Sequence, residues 1–329
     1  MDSPIYLTSD LHELGYADID IDFEIGTCRG DNPATNDFEF SAADLPDGAA
    51  AIYIDETEYG GIIECSSQTT ESSDVTYSGY TWRGLLNKWL ICPPEGEDYY
   101  VTSGDLNSII AEILTDVLGG FFSVPDTEYG VSVSSYQFTR YCTVLEGLEK
   151  LLEENGARLY IHADKAGSGE PIVVTVEAAA AETVSGSFDE DSELDLTFTD
   201  DRMGINHLIC MGSGDLADRQ RVDLYIDESG GVSLTQYYTG FDERQELYDY
   251  GNVESEEELI SYGTERLLAV ASAKSISIDI PDESKELEIG DIAAGIFPDG
   301  SQVESPIVKK ILTITGGSID IAYEVEGEQ

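Results

Sequence analysis

The stretch ADIDIDFEIG, residues 17–26, constrains the fold of this chain more than any other. Ile19, Ile21, Phe23 and Ile25 alternate with Asp18, Asp20, Asp22 and Glu24. Period-two alternation is the mark of a β-strand with one dry face and one wet face, and here every wet position is a carboxylate. Such a strand belongs to a barrel or sandwich with an acidic outer surface. Shorter strand patterns follow at NDFEFSA, AAIYID, GGIIECSS and SDVTYSGY, separated by turn residues. That spacing predicts a small antiparallel barrel over residues 1–80.

From residue 81 the pattern changes to α/β. In TWRGLLNKWLICPP, Trp82, Leu85, Leu86, Trp89 and Leu90 fall at i, i+3, i+4, i+7 and i+8, the spacing of one helical face, with Arg83, Asn87 and Lys88 opposite. Thr81 is the expected N-cap, and Pro93-Pro94 ends the segment. The expectation is a helix over 82–90 with both tryptophans, Trp82 and Trp89, as core anchors. A second helix is marked by Leu106, Ile109, Ile110, Ile113, Leu114, Val117 and Leu118, stopping at Gly119-Gly120. Thr143 with Glu146 forms a capping box for a third, which ends at Asn155-Gly156. The strands ARLYIH and PIVVTVEA then complete an α/β module over 81–180.

Beyond residue 180 the pattern returns to β, with strands at LDLTFTD, NHLICMG, RVDLYID and SISIDI. Ser255 with Glu258 opens a helix expected to run to about Lys274, inside a helical insertion at about 210–274. VKKILTIT and SIDIAYEV, joined by Gly316-Gly317, predict a closing hairpin. The fold class expected is therefore α+β, mainly β, in three modules: 1–80, 81–180 and 181–329.

Charge narrows the function. Sixteen Lys and Arg face 67 Asp and Glu, a formal net charge of −51, which argues against a sequence-independent grip on nucleic acid or on an anionic membrane. Cys28, Cys65, Cys92, Cys142 and Cys210 are scattered and form no CxxC, as expected of reduced thiols in a cytoplasm. The opening MDSPIYLTSDLHELG has neither a basic nor an apolar leader region, and no run reaches membrane-spanning length.

Site motifs fail on inspection. DIDIDFEI resembles the start of a calcium loop, but counting from Asp18 the sixth residue is Phe23, where glycine is needed, and the twelfth is Arg29, where a glutamate should chelate. DEDSELD from Asp189 fails likewise at Leu194. MGSGDLA places Gly212, Gly214 and Ala217 after a strand, but no helix pattern follows to make a dinucleotide loop. His12, His162 and His207 have no metal or Cys–His spacing, and no serine stands in a GxSxG elbow. No catalytic residue, metal or cofactor is expected.

Several long segments resemble, in order, the siphovirus tail-tip hub family (the ReqiPepy-type hub-like proteins), related to the central baseplate hub of contractile phage tails. They are TWRGLLNKWLICPP, YYVTSGDLNSIIAEIL, YQFTRYCTVLEGLEKLLEENGARL and YYTGFDERQELYDYGNVESEEEL, with TNDFEFSAADL and EYGGIIE before them and LEIGDIAAG and the closing hairpin after. The resemblance implies two tube-like antiparallel β-barrel modules bracketing the α/β module. It further implies a homotrimeric ring, made in the host cytoplasm and placed at the virion tail tip. Such a ring would join a sixfold tail tube or distal tail protein to a threefold tip fibre or spike, with DNA as transient cargo. Longer members append fibre or wall-degrading domains, so wall cleavage and receptor binding are expected of other proteins. A lumen for DNA favours acidic walls, which makes Asp18, Asp20 and Asp22 candidate lumen-facing acids. Arg83 and Lys88, scarce cations on a short helix, are candidate ion-pair or subunit-contact residues. Two rivals stand beside this reading: the hub of a contractile injection machine, and a cell-wall glycan hydrolase using a carboxylate pair.

Overall fold

The computed structural model describes residues 3–28, 33–70, 74–186, 195–200, 204–214, 216, 219–228, 230–251, 253, 255–271, 274–279, 287–296 and 302–326. The chain is mainly β, as its alternating patterns predict. The first strands are β1 (Ile5–Leu7), β2 (Glu13–Tyr16), β3 (Ile21–Gly26), β4 (Asp37–Ala42), β5 (Ala51–Tyr53), β6 (Gly60–Ile62), β7 (Cys65–Ser67) and β8 (Val75–Tyr80). Then come α1 (Trp82–Leu86), β9 (Val101–Asp105), α2 (Leu106–Leu118), β10 (Ser132–Gln137), α3 (Val144–Glu154), β11 (Ala157–Lys165) and β12 (Ile172–Ala180). The rest comprises β13 (Thr183–Gly186), β14 (Asp195–Asp200), β15 (His207–Met211), β16 (Arg221–Ile226), β17 (Val232–Ser233), β18 (Gln245–Asp249), α4 (Glu256–Val270), β19 (Lys274–Asp279), β20 (Ile292–Ile296), β21 (Gln302–Thr315) and β22 (Ser318–Val325).

The chain forms two compact units where the sequence pattern predicts three modules. Unit 1 holds residues 1–196 and 277–328, and unit 2 holds 197–276. The boundaries fall within β14 and β19, which pair with each other.

In unit 1 the first eighty residues do not close on themselves. β1, β2, β5 and β6 make a four-stranded sheet in the order β2-β1-β5-β6. β3, β4, β7 and β8 join instead an open eight-stranded sheet, β13-β20-β21-β3-β4-β8-β7 with β22 on β21. No sheet among the described strands closes, so the expected barrel modules are not seen as closed barrels. The reason is the long strand β21, which pairs antiparallel with β3 from Gly26↔Lys309 to Ile21↔Ile314 and so takes the edge that closure would need. The β21–β22 turn is the two-glycine hairpin the sequence predicts, with Gly316 at φ 58 and Gly317 at φ 79, values glycine adopts without steric cost. Between these two sheets lies an aromatic core in which Phe23 contacts Phe38 and Tyr59, and Phe40 contacts Tyr6 and Tyr77.

The α/β part of unit 1 follows its periodicity. Leu106, Ile109, Ile110, Ile113 and Leu114 of α2 and Val144, Leu145, Leu148, Leu151 and Leu152 of α3 are buried. They pack with Leu159, Ile161, Val174 and Val176 of the β11–β12 hairpin in one apolar cluster. The Thr143 hydroxyl accepts from the Glu146 N–H at 3.1 Å, completing the cap on α3.

Unit 2 is a four-stranded sheet, β17-β16-β15-β18, with α4 on one face. Leu259 and Leu267 of α4 pack on Leu208, Cys210, Leu224 and Ile226. The Ser255 cap forms as predicted, but α4 stops at Val270 and Lys274 begins β19. The helical pattern ends there because Ile276 and Ile278 alternate with polar residues, a strand's period. No helix is long and apolar enough to cross a membrane among the described residues.

Candidate functional site

The eight-stranded sheet presents an acidic face. On β3 the side chains of Ile21, Phe23 and Ile25 are buried and Asp22 is exposed, as the alternation requires. Asp22 stands opposite Glu39 of β4 on one side and Thr313 of β21 on the other, and Thr313 in turn stands opposite Asp320 of β22. One row across four strands therefore carries three carboxylates. Like charges directly opposite on neighbouring strands cost stability, so nothing in sheet formation alone favours Asp22 beside Glu39. A cation does stand on this face: Lys309 is 6% exposed, and its Nζ sits 3.3 Å from Glu324 and 3.9 Å from Glu24. Its charge is sunk between carboxylates, leaving the exposed row acidic.

Asp18, Asp20 and Asp22 are all exposed, but they do not share one setting. Asp18 and Asp20 precede β3. Asp18 lines a cleft, and Asp20 accepts a hydrogen bond from the Gly316 N–H at 2.7 Å, tying the end of the β21–β22 hairpin to β3. Only Asp22 lies on the sheet.

Beneath the sheets, unit 1 holds a buried ionic cluster. Arg83, on the face of α1 expected to be outside, is 1% exposed. Its Nε and Nη2 donate to the two Glu58 carboxylate oxygens at 2.6 and 3.1 Å, Nη1 reaches Glu149 at 3.5 Å, and Nη2 also reaches the Leu159 carbonyl at 3.3 Å. Burial works against the guanidinium charge, but Glu58 and Glu149 outweigh it and hold its pKa above the ordinary arginine value. Lys310, also 1% exposed, lies 3.2 Å from Glu288 and over the Tyr59 ring. Arg158 Nε is 2.9 Å from Asp291 but is not aligned to donate to it, so that contact is electrostatic. Asp291 instead accepts from the Glu182 and Glu288 N–H groups at 2.9 and 2.8 Å. Pairs sunk this deep position chain segments; they are not arranged to meet a substrate.

The two tryptophans part company. Trp82 is fully buried, and its indole lies so close to Gly60 that a Cβ there would be 2.4 Å from Nε1. Trp89 is 47% exposed and is not a core anchor. The helix ends at Leu86, because the Asn87 N–H turns back to the Gly84 and Leu85 carbonyls and the chain then extends. Residues 89–91 run beside 142–144 through the Val144 N–H to Trp89 carbonyl and Ile91 N–H to Cys142 carbonyl bonds, 2.8 and 2.9 Å. The helical register that placed Trp89 under Trp82 is lost, and Leu90, also 47% exposed, turns outward with it. Lys88 is exposed, its Nζ 3.7 Å above the centre of the Tyr80 ring.

The histidines stand against carboxylates: His12 near Asp10, His162 between Asp164 and Glu177, and His207 between Asp223 and Glu243. Among the described residues no group of three or more His, Cys, Asp or Glu is placed to hold a metal. The segment from Asp189 to Leu194 lies outside the described residues. After Met211 the described part of MGSGDLA bends and opens no α-helix. Sequence reasoning missed Glu58, Glu149, Glu288 and Lys310, because Arg83 meets Glu58 across 25 residues and Glu149 across 66, and no spacing rule spans such separations. The scarcity of cations was the one signal that pointed to Arg83.

No protein-family model and no curated protein sequence matches the chain. Among solved structures, the chain is similar to a 43 kDa tail protein of prophage MuSo2 from Shewanella oneidensis, at a TM-score of 0.48 and 15% identity over 94% of each chain. A tail protein from Neisseria meningitidis MC58 is similar at 0.48 and 12% identity over 99% of this chain and 96% of that one. Prophage tail protein gp18 from Listeria monocytogenes EGD-e is similar at 0.48 and 12% identity over 100% of this chain and 95% of that one.

Proposed function

We propose that this chain is a structural hub of a bacteriophage tail tip, acting by assembly rather than by catalysis. Three copies close into a ring that links a sixfold tail tube, or the distal tail protein on it, to a threefold tip fibre or spike. The acidic sheet face around Asp22 lines the channel through which DNA passes. The ordered resemblance of the chain's long segments to tail-tip hubs supplies the class, and the acidic row Glu39, Asp22 and Asp320 is the observation that carries the reading. A sheet that tolerates opposed carboxylates beside a sunken lysine suits a wall that must not hold a polyphosphate. Asp20, just before β3, extends the wall; Asp18 stands at its edge.

The test is the mass of the purified assembly together with electron micrographs of it. A particle of three subunits with a central hole is expected. A lone subunit at every concentration, even when offered tube and distal tail proteins, overturns the reading. In the assembled ring, Asp20→Lys with Asp22→Lys is expected to leave the mass unchanged and to make the ring retain DNA at low salt.

A further inference from the structure

Two features of unit 1 are left unused by that reading. The first is a cleft of about 670 Å³ lined in part by Tyr6, Asp18, Ser41, Asp44, Leu45 and Asp74. Tyr6 is only 6% exposed and its ring packs on Phe40. Asp44 and Asp74 are exposed at the same cleft. The carboxylates are not placed to hold a metal ion. An organic cation with donors of its own suits them better, and the space is of the size that accepts whole side chains.

The second is a patch where α1 runs out. Trp89 and Leu90 lie beside the turn that carries Tyr141, which is 52% exposed and held at φ 60, a conformation an aromatic residue adopts at a cost. Arg140 stacks over the Tyr141 ring at 5.2 Å, and Lys88 sits over Tyr80. Among the described residues, neither Lys88 nor Arg140 has a carboxylate within ion-pair distance, whereas Arg83, Arg158, Lys165, Lys309 and Lys310 each do. Lys150 and Arg244 also have no ion pair among the described residues, but in unit 1 it is Lys88 and Arg140 that stand over aromatic rings beside exposed Trp89 and Tyr141. In a chain of net charge −51 such a patch suits an acidic surface.

We infer that the patch of Lys88, Trp89, Arg140 and Tyr141 docks into the Tyr6–Asp44–Asp74 cleft of a second copy of this chain. Patch and cleft are different surfaces of one molecule, so the contact is heterologous and propagates around a ring until it closes. Charge complementarity names the partner: copies carrying so much like charge need a local cation-to-carboxylate match to approach at all. This inference rests on the ring reading above.

The experiment compares assembly mass for the full chain, for Lys88→Glu with Arg140→Glu, for Asp44→Lys with Asp74→Lys, and for all four together. Each paired reversal is expected to weaken assembly by about tenfold or more, and the fourfold variant to regain it. Wild-type chain that assembles while both paired reversals assemble equally well overturns the inference and leaves the ring standing. Wild-type chain that never assembles overturns both. A readout without substitutions covers any variant that misfolds: the chain has two tryptophans and Trp82 is fully buried, so acrylamide quenching reports Trp89. Quenching is expected to fall as the ring forms, and quenching unchanged by assembly overturns the inference.

Discussion

Unit 1 sinks Arg83, Lys309 and Lys310 into its interior against carboxylates, whereas the buried side chain of unit 2 that meets carboxylates, among its described residues, is His207. Arginine and lysine keep their charge across the pH range a protein survives, so the unit 1 pairs are permanent ties. Both ring nitrogens of His207 face carboxylate oxygens, Nε2 at 2.9 Å from Asp223 and Nδ1 at 2.6 Å from Glu243, and only the doubly protonated ring donates to both. Arg221 adds two bonds to Asp223 from a more exposed position. Unit 1 is thus tied by arginine and lysine deep in its interior, and unit 2 by a histidine held between two partly exposed carboxylates.

The largest effect that could break this contrast comes from Arg83→Met. It takes the guanidinium from buried Glu58 and leaves Glu149 its Cys28 contacts in place of the ion pair, and a loss of about 3 kcal/mol is expected in denaturant unfolding of unit 1. A loss under about 1 kcal/mol would show that the cluster is not a tie. Next in size is Gly263→Ala in unit 2, where a Cβ would lie 2.5 Å from Cys210 Sγ and 2.7 Å from Leu224 Cδ1. Overpacking there is expected to cost about 1–3 kcal/mol, seen as earlier melting of unit 2 with unit 1 unchanged.

Acid sharpens the comparison further. The Arg221 hydrogen bond, opposed by partial burial and helped by His207, holds the Asp223 carboxyl below its ordinary value of 3.8. Glu243 is lowered by Gln245 and then by His207. A lowered carboxylate adds stability that is complete above its ordinary value and is lost as pH falls through its folded value. Unit 2 is therefore expected to weaken below about pH 4, and Asp223→Asn to flatten the dependence. Acid titration by circular dichroism in which Asp223→Asn keeps the full slope would contradict this. The smallest effect is chemical: burial pushes the Cys142 and Cys210 thiols up to about 11, while Cys65 and Cys92 are exposed. Alkylation at neutral pH, read by mass spectrometry, is expected at Cys65 and Cys92 first, and at Cys210 before Cys142 as mild denaturant opens unit 2.

Much of the local structure was legible without coordinates. The Thr143 and Ser255 caps and the Gly316-Gly317 hairpin each rest on a few neighbouring residues, and each formed where it was read. The α1 helix was overread for a related reason: five residues at helical spacing describe a face, but spacing does not say where backbone hydrogen bonds stop. The candidate site was half legible. The alternation placed Asp22 outside correctly as a strand position, yet it could not show that Glu39 and Asp320 share its row, because cross-strand register joins distant segments.

By itself the sequence determined most strand and helix segments and the acidic character of the exposed β3 face, since each follows from neighbours along the chain, and its composition fixed the net charge. Only the tertiary structure decided that β21 takes the edge of β3 and leaves the sheet open, that Arg83 goes inside to meet Glu58 and Glu149, and that Trp89 goes out while Trp82 goes in. Those outcomes depend on which remote residues compete for one edge or one buried charge, and that competition is settled by packing and desolvation across the whole unit.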